Sequence, residues 1–463
     1  MTSGRSAAVD AIPPIPKLTL LGLQHVLVMY AGAVAVPLII GGALKMPKEQ
    51  IALLISADLF CCGLATLVQC VGIANVGIRL PVMMGVSFTA IAPIIAIGLN
   101  PQLGMPGIFG AVIGSGVFTY LAASSMGNLV RWFPPVVTGT VVLVIGISLM
   151  RIGVNWAAGG QPMIAGPGGG LIPNPIYGQP VTLLIAGLVL LTVVVMNALF
   201  TGFAANVAVL LAMALGFLVA ASIGQVNFTG VADAGWVSVV LPFQFGWPVF
   251  DPLSILTLCL VMVVMMIEST GLFLALSEMT DCRLSKSDLA RGLRADGVGN
   301  ILGGIFGTFS YTSYSQNVGL VQLTGVRSRW VVAASGVLLV VLGCLPKLSF
   351  LIASIPPYVL GGAAIAMFGM VAATGVKILA KVDFSSDRRN LYIVAISLGL
   401  GMIPVMDGQF FAHLPGILAR FFQNGILLGT FSAVLLNSLF RRTSAGPARL
   451  EQPEDAPTQS SLA

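Results

Sequence analysis

The sequence is poor in charged residues. Only 8% of its 463 residues are Asp, Glu, Lys or Arg, and 57% are hydrophobic, whereas a soluble chain carries about a quarter charged residues. This composition excludes a soluble fold. The apolar residues form separate runs near the roughly 20 residues that cross a bilayer as a helix, without the alternating pattern of barrel strands. The sequence therefore predicts an all-α polytopic membrane protein surrounded by lipid.

Metal-ligating residues are scarce as well. There are two histidines, His25 and His413, and six cysteines that lie mostly inside apolar runs without paired spacing. Haem and metal centres need clusters of such ligands, so a membrane enzyme or redox subunit is disfavoured, and we expect no cofactor and no metal site. The cysteines are interpreted as packing residues. The net charge of +6 is explained by cations in loops, not by binding of nucleic acid.

Fourteen apolar segments can be delimited by polar or Gly/Pro breaks. The first seven cover residues 18–42, 51–70, 80–99, 107–125, 134–150, 181–200 and 204–223. The other seven cover residues 254–276, 297–309, 312–325, 330–345, 357–376, 391–404 and 426–440. Residues 1–17 lack the apolar core of a signal peptide, so we expect an uncleaved cytoplasmic N-terminal tail.

The distribution of cations orients these segments. With the N-terminus inside, most loop cations fall in the cytoplasm, including Arg79, Arg131 and the run from Arg283 to Arg294. Only five face the opposite side, namely Lys45, Lys48, Arg151, Lys347 and Arg420. The positive-inside rule then predicts a protein of the cell (inner) membrane with both termini cytoplasmic.

Seven segments followed by seven make a repeat that must be inverted across the membrane, because an odd number of crossings reverses direction. Segments 3 and 10, around Val86 and Thr312, are both short, polar and interrupted by Gly or Pro. Paired interruptions of this kind indicate a substrate site built from broken helices near the bilayer midplane.

Few ionisable residues lie within the apolar runs. Glu268 lies mid-segment, where it can exchange a proton or accept two N–H bonds from a planar heterocycle, although a structural carboxylate is the alternative. His25, beside Gln24 in segment 1, can orient substrate or relay a proton, or can simply pack. Asp296 lies at the mouth of a short segment, where a structural ion pair to Arg291 or Arg294 is as likely as a role in coupling. Asp58 is assigned mainly to a structural role.

Gln316 and Asn317 lie at the break of segment 10. An amide both donates and accepts, which matches the N–H and C=O edge of a purine, although bonds to unwound backbone are the alternative.

These residues resemble the nucleobase-ascorbate transporter family over nearly the whole chain. The family signature is matched by QNVGLVQLTG, from Gln316 to Gly325. The QH pair of the family is matched by Gln24 and His25, its segment 8 glutamate by Glu268 and its segment 9 aspartate by Asp296. The resemblance implies a homodimer of fourteen-segment subunits. Each would have a core domain (residues 18–125 and 251–345), a gate domain (126–250 and 346–440) and tails at 1–17 and 441–463. It implies that Glu268 and Gln316 hold the base, with Phe88, Tyr314 and Ser315 completing the site.

The resemblance also bears on the cargo. Uracil permeases of the family carry Glu in place of Gln316, which favours a purine. Leu272 is typical of urate carriers, whereas Gly325 is similar to xanthine carriers, and Ser87 stands where a small hydroxyl residue is thought to influence xanthine acceptance. We therefore expect a proton-coupled symporter for uric acid, xanthine or both. A uracil permease, an anion carrier of the same architecture and a passive channel are the alternatives.

Overall fold

The computed structural model describes residues 7–126, 133–165 and 171–444. Arg131, the glycine-rich run at 166–170, and the tail predictions for 1–6 and 445–463 lie outside the described residues, as does the side chain of Arg420. The elements of the first half are α1 (Ala7–Asp10), α2 (Ile15–Ala43), α3 (Lys48–Val71), β1 (Met84–Val86), α4 (Ile91–Gly98), α5 (Gly104–Ala122), α6 (Pro135–Ala157), β2 (Met163–Ala165), β3 (Leu171–Pro173), α7 (Pro180–Leu199), α8 (Phe203–Asn206) and α9 (Ala208–Ser222). Those of the second half are α10 (Pro252–Thr280), α11 (Lys286–Ile305), β4 (Tyr311–Ser313), α12 (Ser315–Thr324), α13 (Arg329–Gly343), α14 (Pro346–Ala353), α15 (Pro357–Leu379), α16 (Arg389–Met406), α17 (Gly416–Phe422) and α18 (Gly425–Ser444).

The protein is mostly helical and crosses the membrane several times. Among the described residues, 8 helices are long and apolar enough to span a bilayer, or 9 if α13 and α14, bent by 79°, form one span. The mostly helical chain agrees with the predicted fold class, and two short antiparallel ladders, β1 with β4 and β2 with β3, interrupt it.

Local sequence explains where the helices begin. Asp251 caps α10 by accepting the backbone N–H of Ser254, and Ser285 forms a capping box with Asp288 at the start of α11. Such caps satisfy N–H groups that have no partner within the helix. The predicted start of segment 9 at residue 297 is wrong, since α11 begins eleven residues earlier with a charged half.

One face of the molecule joins the ends of α3 and α5 to the starts of α11 and α13. The Gly77 N–H donates to the carbonyl of Arg291 at 2.9 Å. The Arg294 guanidinium donates to the hydroxyl of Ser124 at 2.7 Å, and Arg329 donates to the carbonyl of Cys70 at 2.9 Å.

The loop 224–251 covers the opposite ends of the same helices. Its Phe243 N–H donates to the carbonyl of Ile305 at the end of α11, its Ser238 N–H to Cys344 after α13, and its Val249 N–H to Pro106 in the first turn of α5. The ammonium of Lys48, which starts α3, donates to the carbonyls of Asn227 and Thr229 in this loop at 2.8 Å. Helices α3 and α5 therefore run in the direction opposite to α11 and α13.

Helix packing divides into two groups of neighbours. Helix α13 packs on α3 and α2, while α11 and α10 pack on α5. In the second group α15 packs on α6 and α7, α9 on α7, and α16 on α18.

Candidate functional site

The site is organised by a short ladder between two distant parts of the chain. Strand β1 pairs antiparallel with β4, so that Met84 lies opposite Ser313 and Val86 opposite Tyr311. The Ser87 N–H donates to the carbonyl of Ser310, and the Tyr314 N–H to that of Met83, both at 2.8 Å. Each strand runs directly into a short helix, so the two interrupted segments present helix N-termini at a shared centre.

Glu268 lies near the middle of α10, on a helix that packs against both β4 and α12. Its side chain is only partly buried. Among the described residues, the carboxyl group has no hydrogen-bond partner. A carboxyl group inside a membrane protein that no neighbour engages is available to a ligand or to a proton.

Asp296 lies fully buried within α11 and accepts only from neutral groups. The hydroxyl of Ser269, the residue after Glu268, donates to its Oδ2 at 2.6 Å. Gln69 Nε2 and Ser313 Oγ donate to Oδ1 at 3.4 Å. The ion pair of Asp296 with Arg291 or Arg294, one of the two alternatives left open by the sequence, is not formed among the described residues. Nor is Asp296 at the mouth of a segment, because α11 extends well beyond it on both sides.

The Ser269 hydroxyl also reaches Thr312 Oγ1 of β4 at 3.1 Å. Hydroxyls of α10 and β4 therefore converge with the carboxylate of α11, one residue from Glu268. Sequence reasoning missed Ser269, Thr312 and Ser313, although the hydroxyl-rich TSYS run beside the signature is a usable signal.

Asn317 links the signature helix α12 to α2. Its buried amide Nδ2 donates to the backbone carbonyl of His25 at 2.9 Å and lies 3.1 Å from Nδ1 of the His25 ring. His25 is itself buried, with 2% of its surface exposed. The alternative that Asn317 bonds only to unwound backbone therefore does not hold, because its amide also contacts the His25 ring. Gln24, in contrast, is half-buried and has no hydrogen-bond partner among the described residues.

Gln316 and Ser315 form the first turn of α12 and are exposed, with Ser315 Oγ donating to Gln316 Oε1 at 3.2 Å. Ser87 is buried and caps the turn after β1 by accepting from the Thr89 N–H at 3.1 Å.

Aromatic rings close the centre of the site. Tyr314 is 5% exposed, and its ring lies against Gly32 of α2 and Gly85 of β1, where any Cβ would collide with it. Phe88 makes an edge contact with Phe368 of α15, at 6.0 Å between ring centroids. Phe88 thus connects the first group of packed helices to the second.

The two residues singled out for specificity lie at different depths. Leu272 is half-buried one helical turn after Glu268. Gly325 ends α12 with a φ of 65°, and a Cβ there would meet nothing within 4 Å. A larger side chain at Gly325 has space but would adopt a backbone conformation that only glycine adopts freely.

Asp58 occupies in α3 the position that Asp296 occupies in α11, the eleventh residue of each helix. It is fully buried, and its Oδ1 accepts from Tyr311 Oη at 2.7 Å and from Thr308 Oγ1 at 3.1 Å. The two aspartates therefore hold strand β4 through its first and last residues. The six cysteines are all free thiols, most of them buried.

This arrangement of interrupted segments around a buried polar centre defines a multi-pass membrane transporter. Residues 16–409 match the sequence profile of the Permease family. The chain belongs to that family and is a transporter, not an enzyme.

Similar proteins include the uric acid transporter UacT of Escherichia coli, 52% identical over 93% of this chain and 88% of that protein. The xanthine permease of Bacillus subtilis is 42% identical over 96% of this chain and 98% of that protein. Among solved structures, the transmembrane domain of a cyanobacterium bicarbonate transporter, BicA, matches with a TM-score of 0.57 at 18% identity, covering 93% of this chain and 99% of that chain. The last comparison identifies the fold alone.

Proposed function

We propose that the protein is a symporter that imports a purine base, uric acid or xanthine or both, together with protons. The observation that supports this proposal best is that the Glu268 carboxyl group has no hydrogen-bond partner among the described residues. Glu268 also lies one residue from the buried Ser269–Asp296–Thr312 network. Relatives that share 52% and 42% of their residues with this chain are named for uric acid and xanthine. Both molecules are planar purines with N–H and C=O groups along one edge.

In this proposal Glu268 accepts N–H bonds from the purine, and Gln316 pairs with its amide-like edge. The exposure of Gln316 in the first turn of α12 supports that role, because its amide is not consumed by the protein backbone. Backbone groups next to Phe88, Tyr314 and Ser315 complete the polar contacts.

Ring faces and pocket size set the choice among purines. The Phe88 and Tyr314 rings provide apolar contact for the flat base. Ser87, Leu272 and Gly325 influence which oxidised purine fits, and His25 contributes a polar group from α2.

Protonation of Glu268, whose neighbour in sequence, Ser269, bonds to Asp296, couples uptake to the proton gradient. The neutral donors around Asp296 support this, because a group without a fixed cation partner can exist with or without its proton. Gln24, His25 and Asn317 shape the same region from α2 and α12.

We further propose fourteen membrane segments in two inverted repeats, with core and gate domains at the boundaries expected from the sequence. The opposite directions of α3 and α11, and of α5 and α13, support an inverted arrangement, as do the equivalent positions of Asp58 and Asp296. The contact of Phe88 with Phe368 supports a site at the core–gate boundary. Alternating access would then be a movement of core against gate.

The proposal also places the protein in the inner membrane as a homodimer with cytoplasmic termini. The clustering of Arg291, Arg294 and Arg329 at one face supports a cytoplasmic assignment of that face. Only 17% of the most apolar stretch of α16 is buried. That helix therefore has an exposed apolar surface for lipid or for a second subunit.

The test is uptake of labelled uric acid and xanthine by cells that lack their own purine permeases, with and without an uncoupler. Wild type should accumulate purine only while the proton gradient exists. Glu268→Gln keeps the shape of the side chain but removes the exchangeable proton, so concentrative uptake should disappear. Glu278→Gln, at the exposed end of the same helix, is the matched control and should resemble wild type. Uncoupler-sensitive accumulation by Glu268→Gln would remove the glutamate from coupling.

Two alternative cargoes have separate tests. Uracil as the cargo is disfavoured by the amide at Gln316. Inhibition of labelled purine uptake by excess uracil would show that the protein binds uracil. An anion carrier is suggested by the shared fold with BicA. No Lys or Arg occurs at residues 86–93 or 312–325, so the helix ends there lack a fixed cation for an anion. Uptake of labelled bicarbonate or sulfate would support that alternative.

A further inference from the structure

The Asn317 amide is surrounded by acceptors on one side. Its Nδ2 lies 2.9 Å from the backbone carbonyl of His25, 3.1 Å from His25 Nδ1 and 3.4 Å from the sulfur of Met83. Nitrogen and oxygen of an amide are not distinguished by shape, so the orientation must follow from the partners.

Here the partners decide it. A backbone carbonyl can only accept a hydrogen bond, and a thioether sulfur can only accept weakly. If the amide were rotated by 180°, its oxygen would face both of these acceptors and the two bonds to them would be lost. The NH₂ group must therefore point toward His25.

This orientation fixes the proton on the histidine ring. An NH₂ group 3.1 Å from His25 Nδ1 donates to that nitrogen, which must then carry a lone pair. In a neutral imidazole the other nitrogen holds the proton. A doubly protonated ring would place Nδ1–H against the amide N–H.

We propose that Asn317 acts as a positioning residue that holds His25 in its neutral, Nε2-protonated form. Among the described residues, Nε2 has no hydrogen-bond partner. The ring therefore has one N–H donor that no described residue uses, and it has no basic nitrogen free to take up a proton.

The assignment separates two roles that the sequence leaves open for His25. The ring orients a ligand or an acidic side chain by donating a hydrogen bond, and it does not carry the coupled proton in this conformation. The tautomer is independent of the cargo, whereas the use of its N–H for a purine rests on the proposed function.

The deciding experiment is nitrogen NMR of the intact protein labelled with ¹⁵N-histidine. The chain contains two histidines, and a His413→Gln variant assigns the signals. We expect His25 to show an unprotonated Nδ1 and a protonated Nε2 near neutral pH. An imidazolium signal, or protonation at Nδ1, would overturn the proposal.

Two variants test whether Asn317 is the cause. Asn317→Asp cannot donate from the same atoms, so Nδ1 should gain a proton and its signal should move to the protonated range. Met83→Leu removes only the sulfur acceptor and should leave the tautomer unchanged. An Asn317→Asp protein that retained the wild-type pattern would refute the cause, and the wild-type spectrum decides the tautomer even if that variant does not fold.

Uptake measurements then examine the role of the N–H. A glutamine amide can place N–H near the position of Nε2, whereas an asparagine amide reaches only the region of Nδ1. We expect His25→Gln to retain at least several-fold more purine uptake than His25→Asn at equal expression. Equal loss in both variants would exclude a donor role, and absence of purine uptake by wild type would reject the proposed function without altering the tautomer result.

Discussion

The link between Ser269 and Asp296 gives the sharpest test of the polar network. The Ser269 hydroxyl donates to Asp296 Oδ2 at 2.6 Å, and no other described group bonds to that oxygen. The remaining donors, Gln69 and Ser313, approach Oδ1 at 3.4 Å. Ser269→Ala would therefore leave one oxygen of a fully buried carboxyl group without a partner.

The expected magnitude follows from the cost of such a group. Removing one partner of a buried acceptor costs about 1–3 kcal/mol, which corresponds to roughly 5- to 150-fold in an equilibrium constant. Part of this loss should appear as a lower Tm of the purified protein. The remainder should appear as a reduced rate of concentrative uptake, because the Asp296 carboxyl group loses its shortest hydrogen bond next to Glu268.

Thr270→Val is the matched control on the same helix. The Thr270 hydroxyl donates only to the carbonyl of Met266, one turn back, at 2.7 Å, and valine has nearly the same shape. Its removal should cost well under about 1 kcal/mol, since that carbonyl keeps its helical bond. Thermal unfolding and uptake kinetics of both variants should be measured together. If Ser269→Ala and Thr270→Val behave alike in both assays, the network has no role in stability or transport.

Three further changes have defined outcomes. Tyr311→Phe removes the hydroxyl that donates to Asp58 at 2.7 Å, so the free energy of unfolding should fall by about 1–3 kcal/mol. The change is measured as a fall in Tm, and an unchanged Tm would contradict the anchoring of β4 by Asp58. Gly325→Ala, at a φ of 65°, should cost about 1 kcal/mol in thermal unfolding and should shift the ratio of uric acid to xanthine uptake, and an unchanged ratio would remove Gly325 from the choice of cargo. Gly32→Ala places a methyl group against the Tyr314 hydroxyl, so purine uptake should fall at normal expression, and Gly32→Ala uptake equal to wild type would show that the ring moves freely.

The long apolar spans could be predicted because apolar length is a local property, whereas the layout of fourteen segments stays a prediction. The start of α11 could not, because its first half contains Lys286, Asp288 and Arg291 and so resembles a loop. That half forms a helix because the capping box of Ser285 and Asp288 closes its first turn.

Of the site, Glu268 could be identified from sequence alone, since an ionisable residue deep in an apolar run is rare. The partners of Asp58 could not, because Tyr311 lies 253 residues away. For the same reason the sequence left open an ion pair of Asp296 that is not formed among the described residues. Neighbours in sequence suggested it, whereas the folded chain supplies hydroxyl and amide donors from α10, β4 and α3. The roles of Glu268, Gln316 and the other candidate residues in binding stay predictions.

The ladder between β1 and β4 makes each half of the chain dependent on the other for folding. Either half alone would expose an unpaired strand edge, and unsatisfied N–H and C=O groups are costly in hydrocarbon. Residues 1–250 and 251–463, produced as separate polypeptides, should each be degraded when expressed singly and accumulate only when both are present.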